Sequence, residues 1–235
     1  MALGVAMSAA ICTAQAAPPQ DSSSPVHVEA SQQLFATVGA LYATGYDRQP
    51  NAPSADPLVA RFRALKGPAT DALRQYFSTH TTVDPIFNIS RYVTFALIAG
   101  PPPNFEPTLR REDLPPDVLL LDGYRDVLAN FYQEAQMEQL WRENQGRYQQ
   151  SQIQLREPLS RAVLLSSAYL REFARPGRKF NVYVEPLVGG QIHVRNIGDE
   201  YALVVNPAVT SLDDMRHAYL HFLLDPLIIR YREQL

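Results

Sequence analysis

Cysteine is almost missing from this sequence: Cys12 is the only one in 235 residues. No intrachain disulfide framework and no cysteine zinc cluster can form, so any metal ion must be held by His, Asp or Glu. Neither sign of charge is in excess, since 24 acidic and 21 basic side chains leave a net charge of −3. That balance offers no electrostatic footprint for nucleic acid or an anionic membrane surface. Beyond Ala17 no run approaches the roughly 20 continuous apolar residues of a membrane span, and none is expected in the mature chain. Glycine-rich phosphate loops and a G-x-S-x-G elbow are lacking too, which removes the commonest nucleotide-binding and serine-hydrolase readings.

What is there is a core. Hydrophobic residues make up 46% of the chain and aromatic ones 10%, which excludes disorder, a collagen-like chain and a coiled-coil rod. Residues 1–17 are small and apolar and end in Ala14-Gln15-Ala16, the h-region and A-x-A site of a secretory signal peptide. Against this, no Lys or Arg precedes the apolar run, so the n-region is missing unless the start lies inside a longer signal. A lipoprotein reading of Cys12 is weaker, because Ile11 stands where a small residue is wanted. The expectation is export to the periplasm or the extracellular space. The mature chain, free of cysteine, suits an oxidising compartment without demanding one.

Residues 18–28 read as a flexible leader rich in Pro, Gln, Asp and Ser, and residues 29–235 as one α+β domain. Its helical part, 29–175, shows helical spacing over Glu29 to Tyr46, Pro57 to Leu65, Pro68 to His80, Ile89 to Ala99, Tyr124 to Ala135 and Met137 to Gln149. A further helix is expected to start at Pro158, and Arg175-Pro176-Gly177 to end it. In residues 178–235 the period changes to two. Phe180, Val182 and Val184 alternate with polar neighbours, Gly189-Gly190 suggests a tight turn, and Asn196-Ile197-Gly198-Asp199 suggests another. The expected result is a small three-stranded antiparallel sheet packed against a helix over Ser211 to Leu224. Ser211 and Asp214 have capping-box spacing at its start.

That last helix carries the chemical signal, His217-Ala218-Tyr219-Leu220-His221. Residues four apart share a helix face, so both imidazoles can reach one ion. At 100° per residue, Met215, Tyr219, Leu220, Phe222, Leu223 and Leu224 cover most of the circumference and leave His217, His221 and Asp225 as a polar stripe. A helix so apolar should be mostly buried, and the stripe should line a cleft, a wet pocket or a metal site. Two half-buried histidines can equally hydrogen-bond carbonyls and water. Asp225-Pro226 fits either a third member of the stripe or, better, the N-cap and first position of a new helix over Leu227 to Tyr231.

The order of strands, short loop and capped H-x-x-x-H helix resembles the sheet and active-site helix of zincin metallopeptidases. The string from Arg216 through His217, His221 and Asp225-Pro226 is similar to the H-E-(F/Y)-x-H segment, with a following Asn-Pro or Asp-Pro, of an uncharacterised family of secreted bacterial gluzincin-like proteins. Asp122-Gly123-Tyr124 to Gly146 is similar to that family's aromatic-rich helical stretch, and Arg161 to Phe173 to the helix before its sheet. The resemblance spans roughly residues 30 to 226 and is specific around the final helix. It implies a zincin-like fold, zinc on His217 and His221, and peptide or protein partners, with an extended peptide adding along an edge strand.

Two departures count against catalysis. Ala218 stands where the general-base glutamate would be, a loss typically worth about a hundredfold to ten-thousandfold. The family's third ligand, a glutamate from a later helix, has no clear counterpart. Glu233 is the one acid after Asp225 and lies too close in sequence. The expectation is therefore an exported, metallopeptidase-related domain without catalytic residues, kept for binding. Two alternatives stand beside it: a zinc peptidase whose base and third ligand come from elsewhere or from chain beyond residue 235, and a metal-free helical scaffold with packing histidines. Asn88-Ile89-Ser90 is a chance sequon, Arg110 to Asp113 a solvated loop, and Arg171, Arg175, Arg178 and Lys179 a poor nucleic-acid patch without interleaved aromatics.

Overall fold

A computed structural model describes residues 26–46, 52–171, 177–190 and 192–232. The expected signal peptide, most of the leader, the Arg175-Pro176 break and Glu233 lie outside the described residues. The elements are β1 (Val26–Glu29), α1 (Gln32–Thr44), α2 (Pro57–Ala64), α3 (Pro68–Thr79), α4 (Pro85–Ile98), α5 (Pro116–Leu119), α6 (Tyr124–Glu134), α7 (Met137–Leu170), β2 (Lys179–Val184), β3 (His193–Ile197), β4 (Glu200–Val205) and α8 (Leu212–Tyr231). The protein is mixed helix and sheet, with a helical first part as the periodicity predicts.

Helix starts follow local chemistry. Ser31 caps α1 by accepting from the Leu34 amide, Asp56 caps α2 through the Leu58 amide, and α2, α3 and α5 each carry proline in the first turn, where no N–H is needed. The loop after Ile98 keeps Arg110 paired with Glu112 and Asp113 on the surface, as expected of a solvated cluster. Asn88, by contrast, is buried, and its amide is consumed by the Thr82 backbone, which removes the sequon from consideration.

Two expected helix boundaries are wrong in the same way. Pro158 lies inside α7 and Pro226 inside α8 rather than starting new helices. A proline within a helix deprives the carbonyl four residues earlier of its donor. Gln154 and Pro158 are exposed, so water can serve that carbonyl in α7. In α8 the carbonyl is that of buried Phe222, and Arg178 supplies the donor: its Nη1 donates to Phe222 O at 2.7 Å while the guanidinium lies 4.3 Å from the Phe222 ring centroid. One arginine thus replaces the missing N–H and lets α8 run on through Pro226.

The sheet also differs from the expected antiparallel meander. It has four strands in the order β1-β2-β4-β3. β1 pairs parallel with β2, β2 pairs parallel with β4, and only β3 and β4 are antiparallel. β1 occupies residues read as the end of the leader and the start of the first helix. The segment after β2 does not turn tightly at Gly189-Gly190 but crosses the C-terminal end of β4 to place β3 at the far edge. Asn206, just after β4, holds that crossing by donating from Nδ2 to Pro186 O and Val188 O, and Tyr42 Oη donates to Leu187 O. The strand that ends up inside, β4, has Tyr201 to Val205 all buried, the continuous apolar run of an interior strand.

Two clusters of buried side chains form the interior. One joins α1 to α6 and the first half of α7, centred on Phe35, Phe62, Phe77, Tyr92, Tyr124 and Phe131. The other lies between one sheet face, the second half of α7 and α8, with Leu159, Phe180, Leu203, Tyr219 and Phe222.

Candidate metal centre on the last helix

The capping box at the start of α8 is complete: Ser211 Oγ accepts from the Asp214 amide and Asp214 Oδ2 accepts from the Ser211 amide, both at 3.1 Å. Ser211 Oγ also donates to Asp214 Oδ2 at 2.6 Å, and this bond, with that from the Ser211 amide, holds the Asp214 carboxyl below the usual carboxylate range. From there α8 buries Met215, Ala218, Tyr219, Phe222 and Leu223 against the sheet. Tyr219 Oη and Ser167 Oγ share a hydrogen bond of 2.8 Å, and the Tyr219 ring meets Phe180 edge-on at 5.2 Å, which fixes the roll of α8 about its axis.

That roll sends His217 and His221 outward. The stripe predicted to line a cleft is instead on the surface, with side-chain exposures of 51% at His221 and 44% at Asp225. Its internal geometry is nonetheless ordered. The two Nε2 atoms approach to 3.1 Å, and His221 Nδ1 lies 3.0 Å from Asp225 Oδ1. A carboxylate on Nδ1 takes that nitrogen's proton as a hydrogen bond and leaves His221 Nε2 as an acceptor, so His217 Nε2 donates to it in the metal-free arrangement. Two nitrogens bound to one tetrahedral zinc at about 2.0–2.1 Å stand roughly 3.3 Å apart, close to the spacing here. The donor set therefore fits a divalent ion with imidazole preference, and Asp225 is placed where an outer carboxylate would orient the imidazole of His221 if it held one. It is not the helix cap that the Asp-Pro pair suggested.

Among the described residues, no group of three or more His, Cys, Asp or Glu side chains could hold a metal ion, and α8 offers the two imidazole nitrogens alone. Ala218 is 6% exposed and faces the apolar interior beside the sheet. The position that would carry a general base thus points away from the two histidines. Beside the stripe, an open groove between α7 and α8 is lined by Pro158, Leu165, Tyr169, Leu212, Arg216 and Leu220. Tyr169, 89% exposed, stands at its rim. Of the basic residues near the sheet, Arg178 serves Phe222 and Lys179 lies 3.9 Å from Glu200, while Arg175 lies outside the described residues.

Sequence reasoning missed a second group of polar residues, on the sheet face turned toward the helices. Glu185 is fully buried, with Oε1 accepting from Tyr148 Oη at 2.6 Å and from the Leu187 amide at 3.1 Å. Burial pushes its carboxyl up to about 7. His193 is buried with Nε2 unpartnered, and burial lowers it to about 4. The available signal was their place in strand sequences whose other face is apolar. No helix among the described residues is long and apolar enough to cross a membrane. Comparison with protein-family models, curated proteins and solved structures gives no match, so the likeness to gluzincin-like proteins rests on the α8 residues and their spacing.

Proposed function

We propose that this chain is an exported, zincin-related domain without catalytic residues, which uses the outer face of α8 to bind a divalent ion and, through it, a peptide or protein partner. The observation that carries the reading is the convergence of His217 and His221 Nε2 at 3.1 Å with Asp225 behind His221. Two protein ligands leave the remaining coordination positions to water or to a partner's carboxylate or imidazole. The neighbouring apolar groove offers that partner a surface for apolar side chains. Ala218 supports binding over hydrolysis, because neither it nor its direction provides a base for metal-bound water. Against the scaffold alternative, both histidines lie at the surface, where they bond each other and Asp225 rather than the core.

The test is zinc content of the purified mature protein after dialysis against trace zinc, beside a His217→Ala, His221→Ala double variant. Near one zinc per chain, lost in the variant with unchanged melting temperature, is the expected result. Equal metal in both proteins, or none in either, would remove the ion from the reading. Peptide hydrolysis that tracks the bound zinc would instead restore the peptidase alternative.

A further inference from the structure

Far from α8, where α1 ends beside α3 and the start of α4, the helical core opens into a pocket of about 470 Å³ lined by Tyr46, Arg74, Phe77, Thr82, Asn88 and Ile89. Its volume is in the range that holds a small ligand. Behind the wall lies Arg91, 3% exposed. Its Nη2 donates to Asn88 Oδ1 at 3.0 Å and its guanidinium stands 5.1 Å from the Tyr92 ring centroid, yet its Nε has no acceptor. Among the described residues Arg91 makes no ion pair. Asp122 influences the Tyr76 hydroxyl but is exposed and does not reach Arg91.

The hydroxyls of Tyr46, Tyr76 and Tyr92 are also buried without partners. The rings form one assembly: Tyr46 stacks on Phe77 at 4.8 Å and meets Tyr92 edge-on at 5.9 Å, and the Tyr92 hydroxyl feels Arg91, Tyr46 and Tyr76. Burial raises the Tyr76 and Tyr92 hydroxyls far above their ordinary range, so both keep their protons as hydrogen-bond donors. Every unpartnered group here can donate, and one of them carries a full positive charge. Water would satisfy the hydrogens but not the charge, and a buried, unpaired cation is costly. The missing partner is negative and rich in acceptors, the chemistry that a guanidinium fork recognises best in a carboxylate or phosphate.

We propose that this pocket binds a small molecule bearing an oxyanion head, a carboxylate or phosphate, with the head on Arg91 and the tyrosine hydroxyls and an apolar or aromatic body against Tyr46 and Phe77. The head enters past Tyr46 and Asn88, which line the pocket and contact Tyr92 and Arg91. The site is independent of the α8 histidines, and it stands or falls without them.

The experiment is thermal denaturation and titration calorimetry with inorganic phosphate and benzoate as separate probes, each against chloride at matched ionic strength. It is run on the full chain and on Tyr46→Phe and Arg91→Met. One probe should raise the melting temperature saturably above chloride, and which one does so distinguishes a phosphate head from a carboxylate. Tyr46→Phe should weaken binding about tenfold, the loss of one hydrogen bond to a charged group. Arg91→Met should abolish binding and, in chloride alone, be at least as stable as the parent because no unpaired charge is then buried. If Arg91→Met does not fold, Tyr92→Phe takes its place with the same expected direction as Tyr46→Phe. Neither probe exceeding chloride, or binding unchanged in the variants, overturns the proposal.

Discussion

On the proposed reading, Asp225 acts on the histidine pair without being a ligand. Its carboxylate, 3.0 Å from His221 Nδ1, fixes both the tautomer and the ring orientation that turn Nε2 toward His217. Asp225→Ala should weaken zinc binding about 10- to 100-fold while leaving stoichiometry intact, measured by competition with a chromogenic chelator. Unchanged affinity would mean that the imidazoles orient themselves. The neighbouring Ala218 supplies a second residue-scale test. A glutamate there would meet the apolar interior, so Ala218→Glu should cost at least about 2 kcal/mol of stability and confer no peptidase activity. Hydrolysis gained with stability unchanged would show that α8 can turn the position outward. At this scale the sequence was informative: 3.6 periodicity placed His217, His221 and Asp225 on one stripe and Ser211 with Asp214 in a cap. What it could not tell was exposure. Leu220 and Leu224 count as core in a helical projection, but both are only half-buried, and Leu220 lines the open α7–α8 groove. The polar stripe consequently has solvent rather than protein above it.

Elements were legible where their ends carry local chemistry and illegible where a distant residue decides. The starts of α2 and α3, at Pro57 and Pro68, follow from proline in the first turn. The continuation of α8 through Pro226 depends on Arg178, 48 positions earlier, and no window of α8 contains that information. A double-mutant cycle tests the account. Arg178→Ala should destabilise by roughly 2 kcal/mol, and by about 1 kcal/mol less in a Pro226→Ala background, where the backbone N–H returns to Phe222 O. Additive effects in urea denaturation would mean that Arg178 contributes only its contact with the Phe222 ring. Strand order was missed for a related reason. Gly189-Gly190 looks like a hairpin turn locally, whereas the crossing over β4 is held by Asn206 and Tyr42, which lie outside it. The unbroken apolar run of β4 was the available sign of an interior strand, and β1, with only Val26 and Val28 in alternation, was too short to be seen.

For the whole molecule, the sheet is the wall between two interiors of unlike chemistry. Phe180, Val182 and Val184 of β2 face the apolar cluster under α8, while the opposite face meets the helices with buried Asn181, Glu185 and His193. Two of those groups make stability depend on pH in opposite senses. Glu185 is raised from 4.5 to about 7, so the folded state holds its proton more tightly than the unfolded one. Its favourable contribution is complete below pH 4.5 and is lost as pH rises through 7, on the order of 3 kcal/mol. His193 is lowered from 6.5 to about 4, so its contribution is complete above pH 6.5 and is lost as pH falls through 4, by a similar amount. Neither group is among those acting on the other, and their windows overlap, so between about pH 4.5 and 6.5 the two slopes nearly cancel. Substitution should unmask them. The stability advantage of the parent over Glu185→Gln should shrink with rising pH from 4.5 to 7, and its advantage over His193→Gln should grow with rising pH from 4 to 6.5. Urea denaturation of the three proteins at half-unit pH intervals reads both difference curves directly. A flat Glu185→Gln curve would mean that Tyr148 and the Leu187 amide stabilise the ionised carboxylate as well as burial opposes it. A flat His193→Gln curve would place water beside the unpartnered Nε2.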